Sequence, residues 1–265
     1  MRGWPYGGTG TTERLVEHEE AGPYSSAAAE APAVALPLRL HADAVEELLE
    51  RLPPVAAPPR LDARHVRAAD PGALLALGVL AGYLGVEAPA LPVPPDALVP
   101  PLLVPDAAGA ATLREAVESA PFLDRLAALG WRRADAGRLA WALAELARNA
   151  VEHSGAPGWA AAWRTAPGEL RIAVADAGVG FAGSLGLPDE PEALLRGLVH
   201  GAGRGEGRGT GLRRVGELVA GWGGLLRVRS RTVLLSGTPP WRDAAVRVQL
   251  PFLPGVQVEV VVPCR

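Results

Sequence analysis

Lysine is absent from the 265-residue chain, so all 26 basic side chains counted as Lys or Arg are arginine. With 32 glycines, 26 prolines and abundant alanine, that pattern is what codon bias in a GC-rich genome produces. Arginine content by itself is therefore no evidence of phosphate binding. One cysteine, Cys264, excludes a disulfide framework and a cysteine zinc site, and it fits a reducing, intracellular compartment. Charge of neither sign dominates: the formal net charge is −3, with no electrostatic case for a nucleic-acid partner. Long apolar runs are missing too. The run from Gly72 to Val86 has 15 residues, against about 20 for a bilayer span. The N-terminus has no basic segment followed by an apolar stretch, as a signal peptide would. These absences predict a soluble cytoplasmic protein that uses neither membrane nor nucleic acid. Disorder is excluded by a hydrophobic content of 49%, and the length suits two small domains.

Residues 1–32 carry Gly, Ser, Thr, Ala and the acidic cluster Glu17–Glu20 without periodicity, and are expected to form a mobile tail. A small α/β domain is expected over 33–130. It begins with a strand-like run at Val34–Leu40 and a helix carrying Val45, Leu48, Leu49 and Leu52 up to Pro53. A strand at Arg60–Val66 and an apolar helix opened by Pro71 follow. Seven prolines between Pro89 and Pro105 leave room only for a short strand at Leu102–Val104. A helical stretch, Ala111–Leu129, breaks near Pro121.

A second unit is expected over 131–265. Asp135–His153 reads as a long helix with Asp135 as N-cap and Leu139, Ala142, Leu143, Leu146 and Ala150 on one face. Strands are expected at Trp159–Thr165, Leu170–Ala175, Leu225–Leu235, Ala245–Leu250 and Val256–Val262, with a helix at Thr210–Ala220. The natural architecture is a layer of helices on one mixed or antiparallel sheet.

Three segments of this second unit carry chemistry. Glu145 and Asn149 lie four apart on the long helix, sharing a face at the border of the apolar stripe. There a carboxylate can polarise a water or hydroxyl and an amide oxygen can complete a magnesium shell. Asp176-Ala-Gly178-Val-Gly180 closes an apolar strand, letting backbone approach a flat ligand and a carboxylate accept from an exocyclic amine. Alternating glycines from 201 to 211 end in Gly207-Arg-Gly209-Thr210-Gly211 and open a helix, a setting that can cradle phosphates. Taken singly, the three also read as a solvated helix face, an acidic turn and a flexible linker. The glycine run is neither a Walker A loop, which needs lysine, nor a dinucleotide fingerprint, since no strand leads directly into it.

In this order, 27 residues from Asn149 to Asp176 and 31 from Asp176 to Gly207, the segments resemble the N, G1 and G2 boxes of the GHKL (Bergerat-fold) ATPases. The resemblance covers about residues 131–265 and implies an α+β two-layer sandwich that binds ATP with magnesium. It implies Glu145 as catalytic acid/base, Asn149 as magnesium ligand, and Asp176 on the adenine amino group with Gly178 and Gly180 shaping that pocket. Gly207, Gly209, Thr210 and Gly211 would contact phosphates at the end of a lid spanning about 181–206. Arg204 and Arg208 are either phosphate contacts or solvated lid residues, and His153 is expected to pack at the helix end. One departure is Gly255-Val256-Gln257, where many members place Gly-Thr; it removes a hydroxyl from a water-mediated adenine contact.

In the N-terminal half, Arg60–Val66 followed by Ala69-Asp70-Pro71-Gly72 looks like the central strand–loop–helix of a STAS domain. Pro71 and Gly72 stand where that family has its phosphoacceptor hydroxyl, so a docking or regulatory role is implied. An unrelated α/β domain fits those residues equally well. The resemblances imply a signalling protein similar to anti-sigma serine kinases or histidine-kinase catalytic domains, acting on a partner protein. The alternative is a nucleotide-gated interaction switch without turnover. A homodimer is left open. No segment resembles a histidine-bearing dimerisation helix, and the lack of lysine and of a following domain sets aside the DNA-remodelling ATPases.

Overall fold

The computed structural model describes residues 33–52, 58–166, 168–201, 210–241 and 243–264. The expected tail at 1–32 and residues 202–209 of the glycine run at 201–211 lie outside the described residues. β1 (Ala33–Ala35) and β2 (Arg39–Leu40) precede α1 (Ala42–Arg51), and β3 (Arg60–Asp62) and β4 (Ala68–Ala69) precede α2 (Pro71–Leu84). His41 caps α1 by accepting from the Ala44 N–H at 3.2 Å. The helix stops where Leu52, the residue before Pro53, turns extended. Pro71 opens α2 and Gly85, in the left-handed conformation, closes it. The expected strand at 60–66 is only three residues long. It pairs in parallel with β1, as β4 does with β2, and both pairs stand apart from the main sheet.

The rest of the described chain runs β5 (Val99–Val104), α3 (Ala107–Glu118), α4 (Ala120–Ala128), α5 (Arg133–Ser154), β6 (Gly158–Ala166), β7 (Glu169–Asp176), α6 (Gly180–Leu185) and α7 (Glu190–Val199). It continues with α8 (Thr210–Gly221), β8 (Leu225–Ser230), β9 (Val233–Gly237), β10 (Ala245–Arg247) and β11 (Val256–Pro263). Seven strands form one sheet in the order β10-β9-β8-β11-β7-β6-β5, and every neighbouring pair is antiparallel. The single expected strand at 225–235 is a hairpin, turned at Arg231, whose φ is 51°. The long helix starts at Arg133 with Arg132 as its N-cap, rather than at Asp135. Asp135 sits instead in the first turn, ion-paired to Arg132 at 2.7 Å and Arg138 at 3.2 Å. The hydrogen bond from Arg132 lowers its pKa, and its charge meets the positive end of the helix dipole.

Alternation along the central strands sets the layers. On β6 and β7, Ala160, Ala162, Leu170, Ile172 and Val174 face α5 and its neighbouring helices. Trp159, Ala161, Trp163, Ala173 and Ala175 face the opposite way, against α1 and α2. Residues 158–163 are consequently all buried, as befits a strand covered on both faces. The molecule is an α+β protein with helices on both faces of an antiparallel sheet. The expected two-layer sandwich carries a third layer, supplied by α1 and α2. That is why α2 is apolar all round and buried along most of its length.

The sequence reading divides the chain near residue 131, but β5 joins the sheet beside β6 across that point and α3 and α4 pack on α5. β5 accommodates Pro100 and Pro101 because it is an edge strand whose register shifts between Val99 and Leu102. The STAS-like loop packs against the sheet. Trp163 Nε1 donates to the Ala69 carbonyl at 3.2 Å, and Asp70 pairs with Arg171 at 2.9 Å. Arg171 also pairs with Glu259 at 3.3 Å. Burial pushes both Asp70 and Glu259 upward in pKa, and Arg171 opposes it.

The α1 layer is fastened by charge. Asp43, Glu46 and Glu50 recur at helical spacing and meet Arg227 at 2.9 Å, Arg229 at 2.7 Å and Arg247 at 2.9 Å. Only the middle pair is buried on both sides. Arg229 also donates to the Arg231 and Pro251 carbonyls, at 2.5 and 2.6 Å. Arg229→Ala would strand the Glu46 carboxylate in the interior and is expected to cost about 3 kcal/mol or more in chemical denaturation. Arg229→Met combined with Glu46→Leu should recover most of that loss. Equal destabilisation by single and double variants would contradict this account.

Candidate functional site

A cavity of about 580 Å³ lies between α5, the ends of β7 and β11, α6, and the start of α8. Glu145, Asn149, Asp176, Gly180, Thr210 and Gly211 all line it. These residues come from parts of the sequence up to 66 positions apart. Gly207, Gly209, Arg204 and Arg208 lie outside the described residues.

Side chains 141, 145, 149 and 153 of α5 line the cavity at four-residue intervals, forming a row along the helix. Glu145 and Asn149 are both half-buried. The Glu145 carboxylate is engaged by Arg148 at 2.6 Å, and Arg148 also holds Glu152 at 2.6 Å. A Cβ on Gly211 would overlap the Glu145 carboxylate, so the first turn of α8 sits directly on that group.

Asp176 ends β7 and is only 4% exposed. Its Oδ1 accepts from the Gly178 N–H at 2.9 Å and the Val256 N–H at 3.2 Å. Desolvation nevertheless pushes the carboxyl up to about 7, because two backbone donors only partly offset the loss of water. Among the described residues no donor reaches Oδ2. Two glycines make this clasp feasible. Gly178 lies against the C-terminal end of α5, where any Cβ would run into the Ser154 carbonyl. Gly255, at φ 74°, lies against the Asp176 carbonyl and could not carry one either. Val256, which replaces the hydroxyl residue expected there, keeps its backbone bond to Asp176 and lines the cavity with an apolar side chain.

Residues 181–201 of the expected lid are described, and they contain most of α6 and all of α7. Glu190, at the start of α7, ties them to the sheet. Its Oε1 accepts from the Phe181 N–H at 2.8 Å, the Ala182 N–H at 3.3 Å and the Ser230 hydroxyl. Phe181, expected at the start of the lid, lines the cavity, as do Trp141, Arg148 and Arg214; these last three and Glu190 are given no role by the sequence motifs. Trp141 and Arg214 stand one turn from Glu145 and Thr210, so helical spacing was a usable signal for both. No local pattern marks Glu190, because its partners are backbone groups and a serine 40 residues away.

No family model and no curated protein matches this chain. Among solved structures it is similar to the mycobacterial sensor histidine kinase MprB. That likeness has 23% identity over 51% of this chain and 76% of that one, with a TM-score of 0.31. The class of the chain is read from its own architecture, an α+β protein with one antiparallel sheet. Among the described residues no helix is long and apolar enough to cross a membrane.

Proposed function

We propose that this chain is an ATP-binding signalling protein of GHKL type, acting with magnesium as an ATPase or protein kinase on a partner protein. The observation that carries the reading is the convergence of Glu145, Asn149, Asp176, Thr210 and Gly211 on one cavity of nucleotide size. Asp176 would accept a hydrogen bond from the adenine amino group, and Val174, Phe181 and Val256, which line the same cavity, would supply apolar surface for the purine. Among the described residues no cluster of three or more His, Cys, Asp or Glu side chains is arranged to hold a metal. Magnesium takes few protein ligands and arrives with phosphate oxygens. Asn149 would supply an amide oxygen, and the ion would neutralise phosphate charge. Glu145, freed from Arg148, would take the proton of the attacking hydroxyl or water as its oxygen bonds to the γ-phosphorus and the bond to the bridging oxygen breaks, releasing ADP.

The engagement of Glu145 by Arg148 favours a second reading, a nucleotide-gated switch with no turnover. Calorimetric titration with ATP, with and without magnesium, followed by hydrolysis and labelling assays, separates the two. Binding with turnover or labelling supports the enzyme. Binding without either supports the switch, and no binding sinks both. Asn149→Ala is expected to reduce affinity for magnesium–ATP about tenfold, toward the metal-free value.

A further inference from the structure

Among the described residues two arginines, Arg148 and Arg214, line the cavity, and they differ in what they hold. The guanidinium of Arg148 is shared between Glu145 and Glu152. That of Arg214 lies over the Trp141 ring, 4.9 Å from its centroid, and forms no ion pair among the described residues. Its neighbour Arg213 is paired with Glu217 at 2.6 Å. Arg214 is exposed, stands one turn into α8, and follows Thr210 by four residues.

Its place along the cavity is what gives it a task. Asp176 sits by the C-terminal end of α5, and the row of side chains runs from there through Asn149 and Glu145 to Trp141. Asn149 and Trp141 are eight residues apart, about 12 Å along the helix axis. A nucleotide anchored by its base at Asp176 therefore points its phosphates toward Glu145, Gly211 and the Trp141–Arg214 pair. Stacking pre-orients the guanidinium, so little side-chain freedom remains to be lost when it meets an anion.

We infer that Arg214, steadied by Trp141, is the cationic ligand of the nucleotide's terminal phosphate. The inference rests on the ATP reading and deepens it, making Arg214 the residue that tells a triphosphate from a diphosphate. The test compares magnesium–ATP and magnesium–ADP binding in the full chain for wild type, Arg214→Gln, Arg214→Lys and Trp141→Leu. Arg214→Gln is expected to weaken ATP about tenfold and ADP less than twofold, with an unchanged melting temperature. Arg214→Lys should recover part of the loss, and Trp141→Leu should shift ATP in the same direction by less. Unchanged ATP affinity in Arg214→Gln, or equal weakening of both nucleotides, overturns the inference while the ATP reading stands. Failure of the wild type to bind either nucleotide overturns the reading itself, and the inference with it.

Discussion

Asp176→Asn is expected to stabilise the unliganded protein at alkaline pH while weakening ATP binding by about two orders of magnitude. The two effects have one origin. Folding raises this carboxyl from about 4 to about 7, so the folded state holds the proton more tightly than the unfolded chain. The stabilisation this gives is full below the unfolded pKa and is lost as pH rises through 7. Between pH 4 and pH 8 the wild type should therefore lose up to roughly 4 kcal/mol relative to an asparagine variant that does not titrate. Asparagine keeps an oxygen for the Gly178 and Val256 N–H groups and so presents its amide NH₂ to the cavity. That donor opposes the adenine amino group, and a buried mismatch of this kind costs about a hundredfold in affinity. It matches the carbonyl of guanine, so the variant should lose less affinity for GTP than for ATP. Wild-type affinity for ATP should also fall about tenfold from pH 8 to pH 6, as the carboxylate fraction drops to about a tenth. Denaturation and nucleotide titrations at several pH values check both effects. A stability difference between the two proteins that stays flat with pH would contradict the burial argument.

Glu145→Ala is expected to bind magnesium–ATP near wild-type affinity and lose turnover by at least a hundredfold. The carboxylate lines the cavity, and on the proposed reading it serves the reacting hydroxyl rather than the base, so its loss falls on the chemical step. The substitution also releases Arg148 from one of its two carboxylates, leaving Glu152. If Arg148 then turns to the nucleotide, affinity rises slightly as turnover disappears, which separates this variant from a merely misfolded one. Parallel loss of binding and turnover would assign Glu145 to the binding of the nucleotide instead.

The sequence carried the elements whose signals are local. The 22-residue α5 shows its apolar stripe in one window, and the acidic end of β7 and the glycines around it sit within five residues. Those windows alone mark Glu145, Asn149 and Asp176 as candidates for one site. What stayed hidden depends on distant partners. Glu46 reads as one of several acidic residues on a surface helix until Arg229, 183 residues later, buries with it. Pro100 and Pro101 argue against a ladder, so the sequence shows only the end of β5, and its position at the sheet edge is what permits them. Trp159 and Trp163 announce a core without saying which face of the strand they serve. The same is true of Trp141, whose relation to Arg214 spans 73 positions of sequence.

Covering the sheet on its second face bears on how the protein can be dissected. A fragment that began at residue 131 would carry the cavity residues on α5, β7, α8 and β11. It would also lay bare Trp159, Trp163, Ala173 and Ala175, and leave Arg227 and Arg229 without their carboxylates. It would open the β6 edge as well, by removing β5. Such a piece is built to stick to its neighbours rather than to dissolve, because an unpaired strand edge and a bare apolar face are both templates for association.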